Sequence, residues 1–480
     1  MADGAVILWF RRDLRLTDNA AVTAAVETGR PVVPLFVLDD GADGLRPLGG
    51  ASKWWLDKSL RSLDAALRER GSRLLVRRGR SVEVLPRLAR EVGAVHAVWG
   101  ATHEPGAEAR DTEVDAALIA GGLTVERFAG SFLNPPGSVL NGSGEAYRVF
   151  TPYWRVARAR VGEVRLQPAP HRLTSPEAWP ASEPAENWGL HPARPDWSTN
   201  FDWTPGEAVA EARLEAFLDD GLAGYRRARD LPHEAGSTRL SPHLTWGEIG
   251  PRQIWCAAHR AVADGRAGEE AREKLLSEVA WRDFNWSLLA QTPTLPDRNH
   301  RSAFDRLAVR EAPEELEAWR RGRTGYPIVD AGMRQLWVSG WMHNRVRMVA
   351  ASFLVKHLLI DWREGERWFW DTLVDADPAN NALNWQWIAG SGPDASPFHR
   401  IFNPVTQGEK FDTQAAYVRR WVPELAGLTD AVIHRPWEAS PAQLEAAGVR
   451  LGETYPRPLV DHAAARTRAL QAGDAMRGAA

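Results

Sequence analysis

AVILWF (residues 5–10), PVVPLFVLD (31–39), SRLLVRRG (72–79), AVHAVWG (94–100) and LTVERFAG (123–130) decide how the chain begins to fold. Each run is short, aliphatic and bounded by turn or polar residues, as buried strands are. Helix-like segments separate them, near 18–29, 51–70, 81–91 and 106–121. That alternation predicts βαβ units: an α/β domain with a five-stranded, parallel, doubly wound sheet covered on both faces. Ligands of such sheets lie at the carboxyl ends of the strands. No GxGxxG or P-loop follows the first strand, so a conventional dinucleotide or nucleoside-triphosphate site is not expected there. The strand runs instead into Arg11, Arg12, Asp13, Leu14 and Arg15, with Thr17 or Asp18 expected to cap the next helix.

Outward from this domain the character of the chain changes twice. Residues 131–205 are rich in Pro, Gly and Trp, with eight of the 32 prolines between Pro168 and Pro205, and read as a long interdomain connection. After Pro205 strand-like runs almost vanish and helical periodicity takes over, as in REKLLSEVAWRDFNWSLLAQ (272–291) and HNRVRMVAASFLVKHLLIDW (343–362). The expected organisation is an α/β domain over 1–130, a linker over 131–205 and an all-α domain over 206–480.

Composition narrows the class. With 44% hydrophobic and 25% charged residues the chain is a folded globular protein, not a disordered or fibrous one. Its apolar runs fall short of the roughly 18 residues that span a bilayer. Arg11, Arg12, Asp13 and Arg15 stand where a signal peptide would be cleaved, so a cytoplasmic location is expected. Cys256 is the one cysteine, which excludes an intrachain disulfide and a thiolate-rich metal site. Five lysines among 59 basic residues leave arginine dominant; a GC-rich genome accounts for most of that, although arginine also suits bidentate phosphate contacts. The 23 tryptophans outnumber 6 tyrosines and 14 phenylalanines together, more indole than cores usually hold.

Four constellations carry candidate chemistry. Glu278, Trp281, Arg282 and Asn285 fall at i, i+3, i+4 and i+7 and so share one helix face. For one helix alone a solvated stripe is the simpler reading. Asn344, Arg345, Arg347 and Met348 form a second polar face, within a stretch holding Arg320, Arg321, Arg323 and Arg334 against the single acid Asp330. Beside tryptophans this reads as a nucleic-acid backbone surface with an aromatic pocket. Asp375, Asp377, Asn380, Asn381, Asn384, Trp385 and Trp387 open a further helix; no calcium loop or histidine cluster accompanies them, so no metal is expected. The fourth, Gly236, Ser237, Thr238, Arg239, Leu240 and Ser241, suits phosphate cradling by hydroxyls and backbone amides, or a plain helix cap.

Nine motifs in order bring a resemblance: WFRRDLRLTDN, GGASKWWL, AGSTRLSPHL, EVAWRDFNW, TGYPIVDAGMR, GWMHNRVRM, LIDWREGERWFW, NNALNWQWIAGSG and RIFNPVTQGEKFD. Through nearly its whole length the chain resembles the photolyase/cryptochrome family. The resemblance implies an antenna-chromophore domain followed by a helical domain that folds FAD into a U shape beneath a cavity for bases flipped from DNA. Tyr225 and Ser237, Thr238, Arg239, Leu240 and Ser241 match FAD phosphate and ribose contacts, with Arg282 a further cofactor contact. Arg347 and Asp375 match the pair flanking the isoalloxazine, with Ala376 and Asp377 at the ring edge; the family usually has glycine at the Ala376 position. Asn381 falls where the family faces flavin N5. An amide there can hydrogen-bond N5 in either protonation state, which favours repair over plant-type signalling.

Asn344 and Met348 replace the two histidines of lyases acting on the (6-4) photoproduct, so the implied substrate is a cyclobutane pyrimidine dimer in DNA. Trp281 and Trp387 would wall the flipped dimer, Asn285 would line its pocket, and Glu278, protonated by burial, would donate to pyrimidine carbonyls. Arg229 and Arg345 would hold backbone phosphates. Glu278, Asn344, Met348 and Asn381 are thus the expected catalytic set. Trp385 and Trp362 match the first two members of the family's tryptophan relay; Val309 stands at the third, with Trp319 as the substitute. The second chromophore is methenyltetrahydrofolate or 8-hydroxy-5-deazaflavin, the folate being favoured, although residues 50–56 and 100–108 match neither pattern well. A monomer without an obligate protein partner is expected. The alternative, a cryptochrome-like photoreceptor without repair activity, would carry a long C-terminal extension or a residue other than Asn facing N5.

Overall fold

The computed structural model describes residues 4–39, 41, 44–192 and 195–478. The five expected strands form: β1 (Ala5–Phe10), β2 (Val32–Leu38), β3 (Leu75–Arg78), β4 (Ala94–Gly100) and β5 (Thr124–Phe128). All pair in parallel in the order β3-β2-β1-β4-β5, with Leu8 opposite Pro34 on one side and Val98 on the other. β1 shows why both faces must be covered. Val6, Leu8 and Phe10 join one apolar cluster with α1 (Ala20–Glu27) and α2 (Gly50–Glu69). Ala5, Ile7 and Trp9 join another with α3 (Ser81–Val92) and α4 (Ala107–Ala120). Period-two alternation thus sends successive side chains into two cores. The order reverses beside β1, which opens a crevice at its carboxyl end.

Neither expected residue caps α1. Asn19 does, its side-chain oxygen accepting from the Ala21 and Val22 amides at 3.1 and 3.4 Å. Thr17 gives its amide to Glu207, while Asp18 adopts a left-handed backbone (φ 50) and pairs with Arg252 of the second lobe at 3.1 Å. An Asx side chain earns the cap through its position relative to the first free amides, and the helix starts at Ala20, two residues later than the sequence suggested.

The connection is not all surface. α5 (Phe150–Arg160) lies within it, and Phe132, Tyr153 and Trp154 join the core of the helical lobe. That lobe runs through α6 (Glu207–Asp220), α7 (Tyr225–Ala228), α8 (Ser241–Trp246), α9 (Pro251–Ala263), α10 (Glu269–Gln291), α11 (Pro313–Arg320), α12 (Pro327–Ser339), α13 (Asn344–Ser352), α14 (Trp362–Thr372) and α15 (Pro378–Ala389). Pro404–Phe411, Ala416–Trp421, Pro441–Ala446 and His462–Gly478 follow. Prolines open α9, α11, α12 and α15, where the missing amide hydrogen costs nothing and φ is already helical. α15 packs against α10, α13 and α14, and this four-helix contact holds most of the candidate residues. Trp203 at the end of the linker and Trp341 of the helical lobe join Trp54 and Trp55 in one apolar cluster, so the two lobes share a core. Among the described residues no helix is long and apolar enough to cross a membrane.

Candidate active site

The phosphate-cradle candidate is a loop with unused donors. Among the described residues the backbone N–H groups of Ser237, Thr238 and Arg239 have no protein acceptor, while the next amide, Leu240 N, reaches the Thr238 hydroxyl at 3.2 Å. Arg239 is left-handed (φ 50), the turn that converges successive amides on a shared anion. Its guanidinium lies 4.2 Å over Trp203 and 5.1 Å over Trp341, its Nε is buried without a partner, and burial pushes it down to about 10. Leu240 itself is a core side chain, so only its main chain faces the loop. Gly236 is needed for close approach: a Cβ there would stand 2.3 Å from the Ala228 carbonyl. Tyr225, buried on α7, has its phenol pushed up by burial. Ser241 accepts from the Trp341 indole at 3.4 Å. Three successive amides without an acceptor, neighbouring hydroxyls and a guanidinium stacked on Trp203 are a donor set that fits a diphosphate, because the amides and Arg239 Nε otherwise stay unpaired.

The second half of the site sits where α13, α14 and α15 meet. Arg347 forks onto Asp375 at 2.8 and 3.1 Å and is steered by its Nε, which donates to the Met342 carbonyl at 2.7 Å. His343 starts α13 by accepting from the Arg345 amide, and burial pushes it down to about 4. Ala376 is buried. Asp377 is expected at the ring edge, yet its carboxylate is fully engaged elsewhere: Oδ1 caps α15 through the Ala379 and Asn380 amides, and Oδ2 accepts from the buried Trp286 indole at 3.0 Å. Asn381 is also constrained. Its amide nitrogen donates to Glu366 twice, to Oε1 at 2.8 Å and to the main-chain carbonyl at 3.0 Å. Both N–H bonds are spent, so only the carbonyl oxygen is free, and among the described residues it has no partner. The sequence offers no sign of Glu366 in this role, because nothing local to α14 links it to Asn381, 15 residues away.

The substrate-face residues are gathered, but their partners differ from those expected. Glu278 is not isolated by burial; Arg229 and Lys274 each reach its Oε1 at 2.6 Å. Trp281 stacks one face on Phe150, centroids 3.8 Å apart. Arg282 donates to the Ser131 carbonyl at 2.8 Å and lies over Phe132, in the linker. Asn285 donates to Asn380 at 2.8 Å, tying α10 to α15. Asn344 is exposed, Met348 and Trp387 half-buried. Arg345 pairs with Asp230 at 2.8 Å, stacks on Phe411 and touches Met348. The run of arginines over 320–350 is a cluster only in one dimension: Arg320, Arg321, Arg334, Arg345 and Arg347 pair with Glu364, Glu317, Glu424, Asp230 and Asp375. Glu317, one turn before Arg321, and four acids distant in sequence neutralise what counting over 320–350 left positive.

Comparison with known proteins follows the same two lobes. The family pattern described as DNA photolyase matches residues 6–175, and that described as the FAD binding domain of DNA photolyase matches 275–475. A deoxyribodipyrimidine photo-lyase of Agrobacterium fabrum is 49% identical over 469 residues, covering 97% of each chain. The chain belongs to the DNA photolyase family. A crystal structure of a bacterial class III photolyase from Agrobacterium tumefaciens superposes with a TM-score of 0.95 at 48% identity, over 100% of this chain and 98% of that one. Cryptochrome-2 of Arabidopsis thaliana is further off, 35% identical over 97% of this chain and 78% of its own.

Within this photolyase-family chain the tryptophans expected to form a relay separate. Trp385 rests on α14 where Gly365 leaves room, since a Cβ at 365 would stand 2.1 Å from the indole. Trp362 is buried and donates to Asn299 at 2.9 Å. Trp319, the expected substitute for the third position, is fully buried and lies edge-on to Trp385 with centroids 6.1 Å apart. It branches from the first tryptophan instead of extending the line beyond Trp362 to solvent. Val309 is 48% exposed, so the third position itself does reach the surface. At the carboxyl ends of β1 and β2 a cavity of about 290 Å³ is lined by Trp9, Trp246, Arg11, Arg46, Lys53 and Arg110 among others, in the crevice expected for a ligand of this sheet.

Proposed function

We propose that the protein repairs cyclobutane pyrimidine dimers in DNA under blue light, with FAD as its cofactor. The observation that carries this reading is Asn381: a neutral amide whose two N–H bonds are consumed by Glu366, leaving an acceptor oxygen. Such a group places no charge against an anionic reduced flavin and accepts from a protonated N5. When bound and reduced, FAD supplies the photoexcited electron that opens the cyclobutane bonds and takes it back afterwards. Loop 237–241 would hold the cofactor's phosphates, and the Arg347–Asp375 pair would flank its ring system. Trp281 and Trp387 would wall the extruded dimer, whose weakened stacking lowers the cost of flipping. Glu278, Asn344 and Met348 would contact the pyrimidines, and Arg229 and Arg345 would exchange their acids for backbone phosphates.

The cavity at the carboxyl edge of the sheet would take the antenna chromophore, whose aromatic portion suits Trp9 and Trp246 and whose acidic tail suits the surrounding cations. Methenyltetrahydrofolate is the favoured occupant over 8-hydroxy-5-deazaflavin, and a mass spectrum of the released chromophore distinguishes them. The chain would act in the cytoplasm as a monomer on DNA. Binding in darkness separates repair from photoreception. The FAD-loaded protein should bind a duplex carrying one thymine dimer far more tightly than the undamaged duplex; equal binding would favour the photoreceptor.

A further inference from the structure

Arg46 belongs to the segment between β2 and α2, in the α/β domain, yet its guanidinium forks onto Glu366 of the helical lobe at 2.6 and 2.9 Å. It lies 4.1 Å over the Trp370 ring. The same segment and the first residue of α2 are each fastened to α14 as well: the Trp370 indole donates to the Pro47 carbonyl at 2.9 Å, and the Gly50 amide donates to Asp371 at 2.8 Å. Glu366 is nearly inaccessible, its side chain 2% exposed, so a charge there needs a partner. Its Oε1 is shared between Arg46 and the Asn381 amide. A chain of contacts thus runs from one domain, through a buried carboxylate, to the free oxygen of Asn381.

We infer that Arg46 is a positioning residue for the flavin: it holds Glu366 as the acceptor that turns the Asn381 carbonyl toward N5, and so favours the N5-protonated, reduced cofactor. The inference rests on the reading that Asn381 faces N5. The physical argument has two branches with one outcome. Without Arg46, Glu366 either keeps an uncompensated buried charge close to the flavin edge, which opposes adding an electron, or takes up a proton. A protonated Glu366 donates as well as accepts, so the amide is free to turn over and present N–H to an unprotonated N5. Either branch favours oxidised flavin. The antenna cavity that Arg46 also lines is thereby joined mechanically to the flavin's redox environment.

The test uses the full chain loaded with FAD and spectroelectrochemical titration of the bound flavin. Arg46→Met, which keeps an apolar contact with Trp370 but removes the fork, should lower the ratio of reduced to oxidised flavin at fixed potential by about tenfold, equivalent to about 59 mV for a one-electron couple. Arg46→Lys should restore most of the shift, and Asn381→Ala should shift the potential in the same direction. A merely structural Arg46 would lower thermal stability and leave the potential in place. If Asn381→Ala moves the potential while Arg46→Met leaves it at the wild-type value, the inference is overturned with the N5 reading intact. If neither moves it, the N5 reading falls and the inference with it. Should the Met variant fail to retain FAD, Arg46→Gln, uncharged but still a donor, is judged by the same titration.

Discussion

Asp230 should act as a brake on DNA binding. It pairs with Arg345 at 2.8 Å, with side chains 37% and 19% exposed, so the pair is partly solvated and worth about 0.2–1 kcal/mol. Binding a phosphate requires Arg345 to leave it. Asp230→Asn removes that cost and should tighten binding to any duplex by up to about fivefold. Arg345→Ala loses a charge-assisted phosphate contact of about 1.5–3 kcal/mol but no longer breaks the ion pair, for a net loss of about 0.5–2.8 kcal/mol, or roughly 2- to 100-fold. The two variants are separated further by salt. Arg345→Ala should flatten the slope of log K against log salt by about 0.9, the signature of one phosphate, whereas Asp230→Asn should leave it unchanged. Fluorescence anisotropy with damaged and undamaged duplexes over a salt series measures all four quantities, and damaged and undamaged DNA should respond alike. Affinities that move in the same direction in both variants, or an unchanged slope in Arg345→Ala, would refute the phosphate role and return Arg345 to a purely structural pair.

Three other outcomes are expected. Val309→Trp should accelerate light-driven reduction of oxidised flavin by adding an exposed indole at the third relay position, while Trp319→Phe should change the rate less than Trp362→Phe; transient absorption orders the three. His343 is held at about 4 against an ordinary 6.5, so the folded state keeps it neutral, and stability falls by about 3 kcal/mol as pH drops from 6.5 to 4. His343→Asn, which can still cap α13, should remove that part of the pH dependence in urea titrations. Asp377→Ala strips the cap from α15 and leaves the buried Trp286 N–H unpaired, a loss of about 2–4 kcal/mol in the apo protein; Asp377→Asn should recover the cap but not the indole contact.

What was legible in the sequence was periodic or local. The unbroken apolar run of Ala5–Phe10 and the spacing of the following helices placed the sheet, and the 3.6 period placed α10 and α13. The resemblance then supplied the position of Asn381, though not its orientation, which depends on Glu366, 15 residues away, and through it on Arg46, 320 residues away from Glu366. No local pattern encodes such a contact. The same limit explains the errors. Of the two cations on Glu278, Lys274 lies one turn back on α10 and was within reach of a local reading, whereas Arg229, 49 positions earlier, was not. The arginines of 320–350 looked like a basic patch because the acids that pair with several of them lie far off in the chain: Arg345 pairs with Asp230 and Arg334 with Glu424. Capping failed by one residue at Asn19, where three polar candidates in succession differ only in the backbone angles that the fold imposes.

The central claim is light-driven repair, and the most direct test is blue-light turnover of an oligonucleotide carrying a single thymine cyclobutane dimer, with the bound FAD chemically reduced beforehand so that the relay cannot limit the result. Loss of the dimer in light and its persistence in darkness are predicted. Persistence in light, with fully reduced and FAD-loaded protein bound to the duplex, would contradict the account.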